Sequence, residues 1–388
     1  MTGNNPAPWN ASCVDLLAEA EVHHLYTVEL YRRSTGAMVS VPAYGATVTL
    51  DGLTSPVGKA TFKTVASELP AGFVPLEMPY RITPCRIAAG YRHAIGGVDT
   101  DDLQTVLFGY VTAADTEDGV TTWEVECVES LYDFPSNRTY NVSDAFTRVK
   151  QVADALAGAS TPLTMNVPIV EGAPLTAPTS TQLSSFRAAE LQVGDQVSDW
   201  FRMIAQILGH RLRADVRATA LQWLITDEPT YDAANRLQVA SAYKLRQRAS
   251  LDQFANTLDI SATWIDASTS QTKTAKRTFR HNVLDIGGVT RDPVPDNVRG
   301  PVRAKAVTIM AQPPNGQIPD DIGWGPIARW LTRYATKNKV LQTATGRAAY
   351  WIQPYDVVEF TALATTLYVN SVVFTLDDGS MTLNGYSA

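Results

Sequence analysis

The sequence predicts an α+β protein dominated by strands, read in the order β, α+β, β. Three observations carry that expectation. Short runs of β-branched and aromatic residues, separated by turn residues, fill the first and last thirds of the chain. Helical periodicity is concentrated in the middle and in one segment near the end. The chain closes on a hairpin, Leu367–Leu376 returning as Ser380–Tyr386, around Asp378-Gly379. That dipeptide favours a type I′ turn, which needs φ > 0 at both central residues.

At 388 residues the chain is long enough for two to four domains. A 45% hydrophobic and 18% charged composition supplies a sizeable core. The balance of 32 basic against 39 acidic residues leaves a net charge of −7, which argues against a broad basic face gripping nucleic acid. Cys13, Cys85 and Cys127 are far apart and odd in number, so neither a disulfide framework nor a zinc site is indicated. The start has no basic segment followed by an apolar run, and no stretch approaches the roughly 20 apolar residues of a membrane helix. A cytoplasm-like compartment is expected.

Residues 1–20 read as a polar arm and a short helix capped by Ser12. Tyr26, Val28 and Leu30 alternate with Thr27, Glu29 and Tyr31 as in a half-buried strand, and Met38–Val41 pairs back. Ala46–Leu50 and Ala60–Val65 follow, then a four-proline connection over Pro70–Pro84. Cys85–Arg92, Thr105–Ala113 and Thr121–Val128 complete a small barrel or sandwich, with a turn at Asp115–Gly119 and a helical turn at Glu129–Phe134.

Beyond it, Ser143–Leu156 is an amphipathic helix, and Ala157–Leu183 is a long irregular excursion. Asp195–Leu208 is the strongest helix, stopped by Gly209, and it feeds a hairpin of Arg211–Val216 with Leu221–Thr226. The last region is β again: Tyr243–Arg248, Leu258–Ile265, Thr272–Arg280, Ala304–Met310 and Val340–Thr345. A helical turn at Asp252–Asn256 and a helix at Ile327–Thr336 interrupt it. Tyr350–Phe360, entered through a Pro-x-Asp turn, precedes the final hairpin.

Chemistry is hard to find. The histidines His23, His24, His93, His210 and His281 form no H-E-x-x-H pair, and His23-His24 read as a solvated pair on opposite faces of a strand. No G-x-S-x-G elbow and no phosphate-binding glycine loop occur. Cys85 and His93 lie eight residues apart on one strand, too far to form a thiol catalyst directly. Asp99, Asp101 and Asp102 crowd what reads as a loop after Gly96-Gly97; capping of backbone amides outweighs a Ca²⁺ site there. Asp320-Asp321 and Asp377-Asp378 read as turn residues. Lys244, Arg246 and Arg248 share one face of a strand, and Lys273–Arg280 forms a second basic run. A solvated edge or partner contact outweighs nucleic acid at both. The eight tryptophans read as core and interface anchors. Catalytic, cofactor-binding and metal residues are therefore all expected to be absent.

Three stretches resemble the tail hub (minor tail) proteins of long-tailed bacteriophages, which are related in fold to the baseplate hub of contractile tails. They are Ala46–Gly52 with Ser55–Phe62, followed by Thr83–Ile87 and Val106–Val111; Asp199–Phe201 with Leu208–Asp215; and Tyr355–Phe360 with the Asp378–Thr382 turn. The resemblance is one of pattern and order over most of the chain. It implies two small tube-like β-barrels, with α+β and helical segments inserted or intervening. The expected division is an arm at 1–20, a first barrel at 21–142, an α+β domain at 143–235, and a second barrel at 236–388 with a helical insertion near 311–345. It further implies a homotrimer, six barrels around an axis, that continues or closes the tail tube. Distal tail or tail-tube protein, tape-measure protein and tail fibre or receptor-binding proteins would be its neighbours, with viral DNA passing through unspecifically. The protein would be a virion component of the tail tip, assembled in the host cytoplasm. Relatives often append a peptidase, lysozyme or sugar-binding domain; this chain stops at its hairpin, so no such enzyme is expected on it. A carbohydrate-binding tail protein that recognises the host surface is the alternative, and a wall-degrading hydrolase a more distant one.

Overall fold

The computed structural model describes residues 23–32, 35–52, 56–70, 83–95, 98–127, 129–130, 135, 169–171, 193–196, 198–199, 211–214, 221–224, 230–237, 243–249, 257–266, 269–280, 283–286, 289–293, 304–309, 316–318, 340–354, 356–360 and 365–387. Seven strands come first: β1 (His23–Arg32), β2 (Ala37–Val41), β3 (Tyr44–Asp51), β4 (Gly58–Val65), β5 (Thr83–Ile95), β6 (Val98–Glu117) and β7 (Val120–Cys127). The middle holds β8 (Ile169–Glu171), β9 (Arg211–Ala214), β10 (Leu221–Leu224) and β11 (Thr230–Leu237). Then come β12 (Tyr243–Ala249), β13 (Thr257–Ile265), β14 (Thr272–Arg280), β15 (Val283–Ile286), β16 (Val289–Pro293) and β17 (Ala304–Ile309). The chain ends with β18 (Val340–Arg347), β19 (Asp356–Phe360), β20 (Thr365–Thr375) and β21 (Ser380–Ser387).

Thirteen of these strands form one large sheet, in the order β12-β18-β21-β20-β3-β4-β7-β6-β5-β1-β2, with β19 also on β20 and β11 on β19. All its pairings are antiparallel except β11 with β19. Strands β13, β14 and β17 make a separate sheet, β8, β9 and β10 another, and β15 with β16 a small ribbon.

Strand alternation decides which side faces the core. In β4, Gly58, Ala60, Phe62 and Thr64 are buried while Lys59, Thr61 and Lys63 are exposed. Phe62 stacks on Trp123 of β7 at 6.1 Å, and the Trp123 indole N–H donates to the Thr64 hydroxyl at 2.9 Å. That bond satisfies the one polar group of a fully buried indole. The core is continuous: Val48 and Leu50 of β3, Phe62 and Trp123 of the first strands, and Val372, Phe374 and Leu383 of the last belong to one cluster.

Several expected elements are found elsewhere or in another form. Asp99, Asp101 and Asp102 lie in β6, not in a loop, because the β5–β6 ladder already pairs Ile95 with Val98. Asp115 is likewise in β6, and the turn that follows is tighter: Asp118 and Gly119 both have positive φ, 51° and 79°. This is the I′ combination expected at Asp378-Gly379. There only Gly379 has positive φ, 62°, and Leu376–Gly379 form a four-residue loop between paired Thr375 and Ser380. Tyr350–Pro354 are outside the strand, which starts at Asp356, whose carboxylate accepts the Gln353 N–H at 2.8 Å. Strands β8, β11, β15 and β16 were not expected, and β8 lies within Ala157–Leu183.

The helices expected at Ser12–Glu19, Ser143–Leu156 and Ile327–Thr336, and the helical turn at Asp252–Asn256, lie outside the described residues. Of Asp195–Leu208, Ser198 and Asp199 are described and helical, while Gln196 bridges Pro135. Among the described residues no helix is long and apolar enough to cross a membrane.

Candidate assembly surface

Strand β20 is the seam of the molecule. One side of it pairs with β21 from Leu367 to Thr375, across a bulge. On the other side Thr365–Tyr368 pairs with β19 and Ser371–Thr375 with β3, so the strand changes partner at Asn370. A bulge at that point re-aims the backbone, and the Asn370 carbonyl accepts the Gly52 N–H at 2.9 Å.

The loop after β20 is anchored to the first strands by its own side chains. Asp377 accepts the Gly45 N–H at 2.7 Å and the Tyr26 hydroxyl at 2.5 Å. Burial, reinforced by the Asp377 carboxylate, pushes the Tyr26 hydroxyl well above the usual tyrosine range. Gly379 lies under the His24 imidazole, where a Cβ would come within 2.1 Å of the ring. His24 itself is edge-on to Tyr91 at 5.4 Å and to Tyr350 at 5.9 Å. Its pKa is lowered by burial and by the Arg347 charge, with Asp378 opposing. The expected solvated histidine pair is therefore half right: His23 is exposed, and His24 is packed into the seam.

The opposite face of the large sheet is polar. Register carries one row of outward residues across it: Lys244 faces Thr345, Thr345 faces Thr382, Thr382 faces Val373, Val373 faces Thr49, Thr49 faces Lys59, and Lys59 faces Glu126. The neighbouring row runs Arg246, Thr343, Asn384, Ser371 and Asp51. Strands β18, β21, β20 and β3 thus present mostly hydroxyl and amide groups, while charge collects to either side of them.

Two strand edges bound this face. Among the described residues β12 pairs only with β18, and Lys244, Arg246 and Arg248 are exposed, as alternation predicts. At the far side β6 also changes partner: β5 covers it through Val111, and from Thr112 to Glu117 only β7 flanks it among the described residues. Asp115 and Glu117 are exposed along that edge, with Glu124 opposite Ala113 on β7. Sequence reading placed Asp115 in a turn and so missed the acidic edge; the I′ preference of Asp118-Gly119 was the signal that could have located it.

The remaining candidates are dispersed. Cys85 and Cys127 are fully buried thiols whose pKa values burial pushes up, so neither is poised as a thiolate. Asp101 pairs with Arg92 across the β5–β6 ladder at 2.7 Å, and its pKa falls chiefly through that hydrogen bond. The Asp102 carboxylate accepts from Gln104 at 3.1 Å. Among the described residues no three His, Cys, Asp or Glu side chains cluster as metal ligands. In the second basic run, Lys273 pairs with Asp266 and Arg277 donates to the Ile318 carbonyl at 2.8 Å, tying it into its own small sheet. The side chain of His93, the residues His210 and His281, and Asp320-Asp321 lie outside the described set. Trp123 and Trp351 are buried.

No family model and no curated protein matches the sequence. Solved structures do. The 43 kDa tail protein of prophage MuSo2 from Shewanella oneidensis superimposes with a TM-score of 0.55 over 93% of this chain and 98% of its own, at 14% identity. This chain has the fold of prophage tail proteins. A tail protein from Neisseria meningitidis MC58 gives the same TM-score over 94% of this chain and 96% of its own, at 12% identity. At such identities the likeness is one of fold, and it runs through nearly the whole of each chain.

Proposed function

We propose that the chain is a structural virion protein, a homotrimeric hub at the tip of a phage tail. It continues or closes the tail tube, anchors tip and receptor-binding proteins, and forms part of the DNA conduit without catalysing a reaction. The observation that carries this reading is the fold likeness to two tail proteins, one of them from a prophage, over more than nine-tenths of both chains. In it, residues 21–142 and 236–388 are the two barrels, joined by the β3–β20 pairing, and 143–235 is the α+β domain between them. The hydroxyl-rich strands in the middle of the sheet suit a conduit wall, because a surface poor in cations holds phosphate in transit only weakly. Distal tail or tail-tube protein, tape-measure protein and receptor-binding proteins would be its partners. Assembly would take place in the host cytoplasm.

Mass in solution tests the reading directly. Light scattering or sedimentation at micromolar concentration is expected to give three times 42.2 kDa, and antibody labelling is expected to place the protein at the tail tip. A stable monomer that binds cell-wall glycan would replace the hub with the carbohydrate-binding alternative.

A further inference from the structure

We propose that copies of this chain join edge to edge, the basic edge of β12 in one copy pairing antiparallel with the acidic edge of β6 in the next. This rests on the ring-forming reading above and names the contact that closes the ring.

Four observations converge on it. Both edges are open among the described residues, and an open edge is a template for another strand. Each is about as long as the other, Tyr243–Ala249 against Thr112–Glu117. Their charges are opposite and lie on the same face of the sheet, which the continuous register from β12 to β6 establishes. Among the described residues, Lys244, Arg246, Arg248, Asp115 and Glu117 make no ion pair or side-chain hydrogen bond.

Strand direction agrees as well. The path β12-β18-β21-β20-β3-β4-β7-β6 is antiparallel at every step and contains eight strands, so β6 runs opposite to β12. Repeating that block head to tail preserves the alternation. The antiparallel register that best matches the charges sets Lys244 against Glu117, Arg246 against Asp115, and Arg248 against Ala113, with Glu124 one strand farther on. Self-pairing of either edge would set like charges face to face, so the contact is heterologous, the kind that closes into a ring when the rotation between copies closes. The other end of the sheet, β2 (Ala37–Val41), carries no charge to answer β12.

Sedimentation of the full chain and its charge-reversed variants tests the pairing. Lys244→Glu/Arg246→Glu/Arg248→Glu and Asp115→Lys/Glu117→Lys are each expected to weaken self-association on the order of tenfold or more. Combining all five reversals is expected to restore it. Circular dichroism establishes that each variant is folded; should one not be, the salt dependence of wild-type association replaces it, with added salt expected to weaken assembly. Wild type that assembles identically whatever the salt, or folded single-edge variants that assemble like wild type, overturn the edge pairing while leaving the hub reading intact. Failure of the combined, folded variant to recover does the same. A wild-type chain that stays monomeric overturns both.

Discussion

At His24 the fold places a titratable ring where charge is unwelcome. Burial against Tyr91 and Tyr350 and the nearby Arg347 lower its pKa below the ordinary 6.5, and Asp378 only partly opposes them. The sign of the pH dependence follows. In acid the unfolded chain takes up a proton at this position that the folded chain refuses, so stability is lost as pH falls below about 6.5. Above that value the contribution is intact. Replacing His24 by Gln is expected to flatten this part of the curve, measured by urea unfolding of both proteins between about pH 5 and 8. Parallel curves would contradict the burial argument. The same packing explains Gly379: it combines φ of 62° with a position where any Cβ would strike the imidazole.

The C-terminal hairpin shows how an element's surroundings choose its turn. Asp378-Gly379 carries the local preference for a two-residue I′ loop, and Asp118-Gly119 realises it. At the C-terminal loop Asp377 is instead recruited by Gly45 and Tyr26, and Asp378 accepts the Ser380 N–H at 2.9 Å. These bonds hold a longer loop against β1 and β3. Asp377→Ala removes an acceptor used twice and is expected to cost about 1–2 kcal/mol, read from the midpoint of chemical denaturation. A change within the usual error would show that the loop docks without Asp377, through the His24–Gly379 contact and the Leu376 and Gly379 backbone hydrogen bonds to Ala46 and Ala348.

For the whole molecule, the β3–β20 ladder and one continuous core couple strands at opposite ends of the chain. The first and last strand groups are therefore expected to open together. Hydrogen exchange followed by mass spectrometry checks this: amides of β4 and β7 are expected to share one opening free energy with those of β20 and β21. Two distinct opening free energies would mean that the halves fold as independent units.

The sequence alone determined the strand-dominated class, most strand positions, and the face carried by Lys244, Arg246 and Arg248. Those features follow from period-two alternation and turn residues, which are local. Likeness in fold to phage tail proteins was also legible, as an order of strand groups around a central hairpin. What it did not contain was the partner of each strand. Only tertiary structure decided that β20 divides its edge between β19 and β3, that β6 leaves an acidic edge open among the described residues, and that His24 is half-buried while His23 is exposed. Each of these depends on contacts between residues tens to hundreds of positions apart, where local propensity says nothing about which edge meets which.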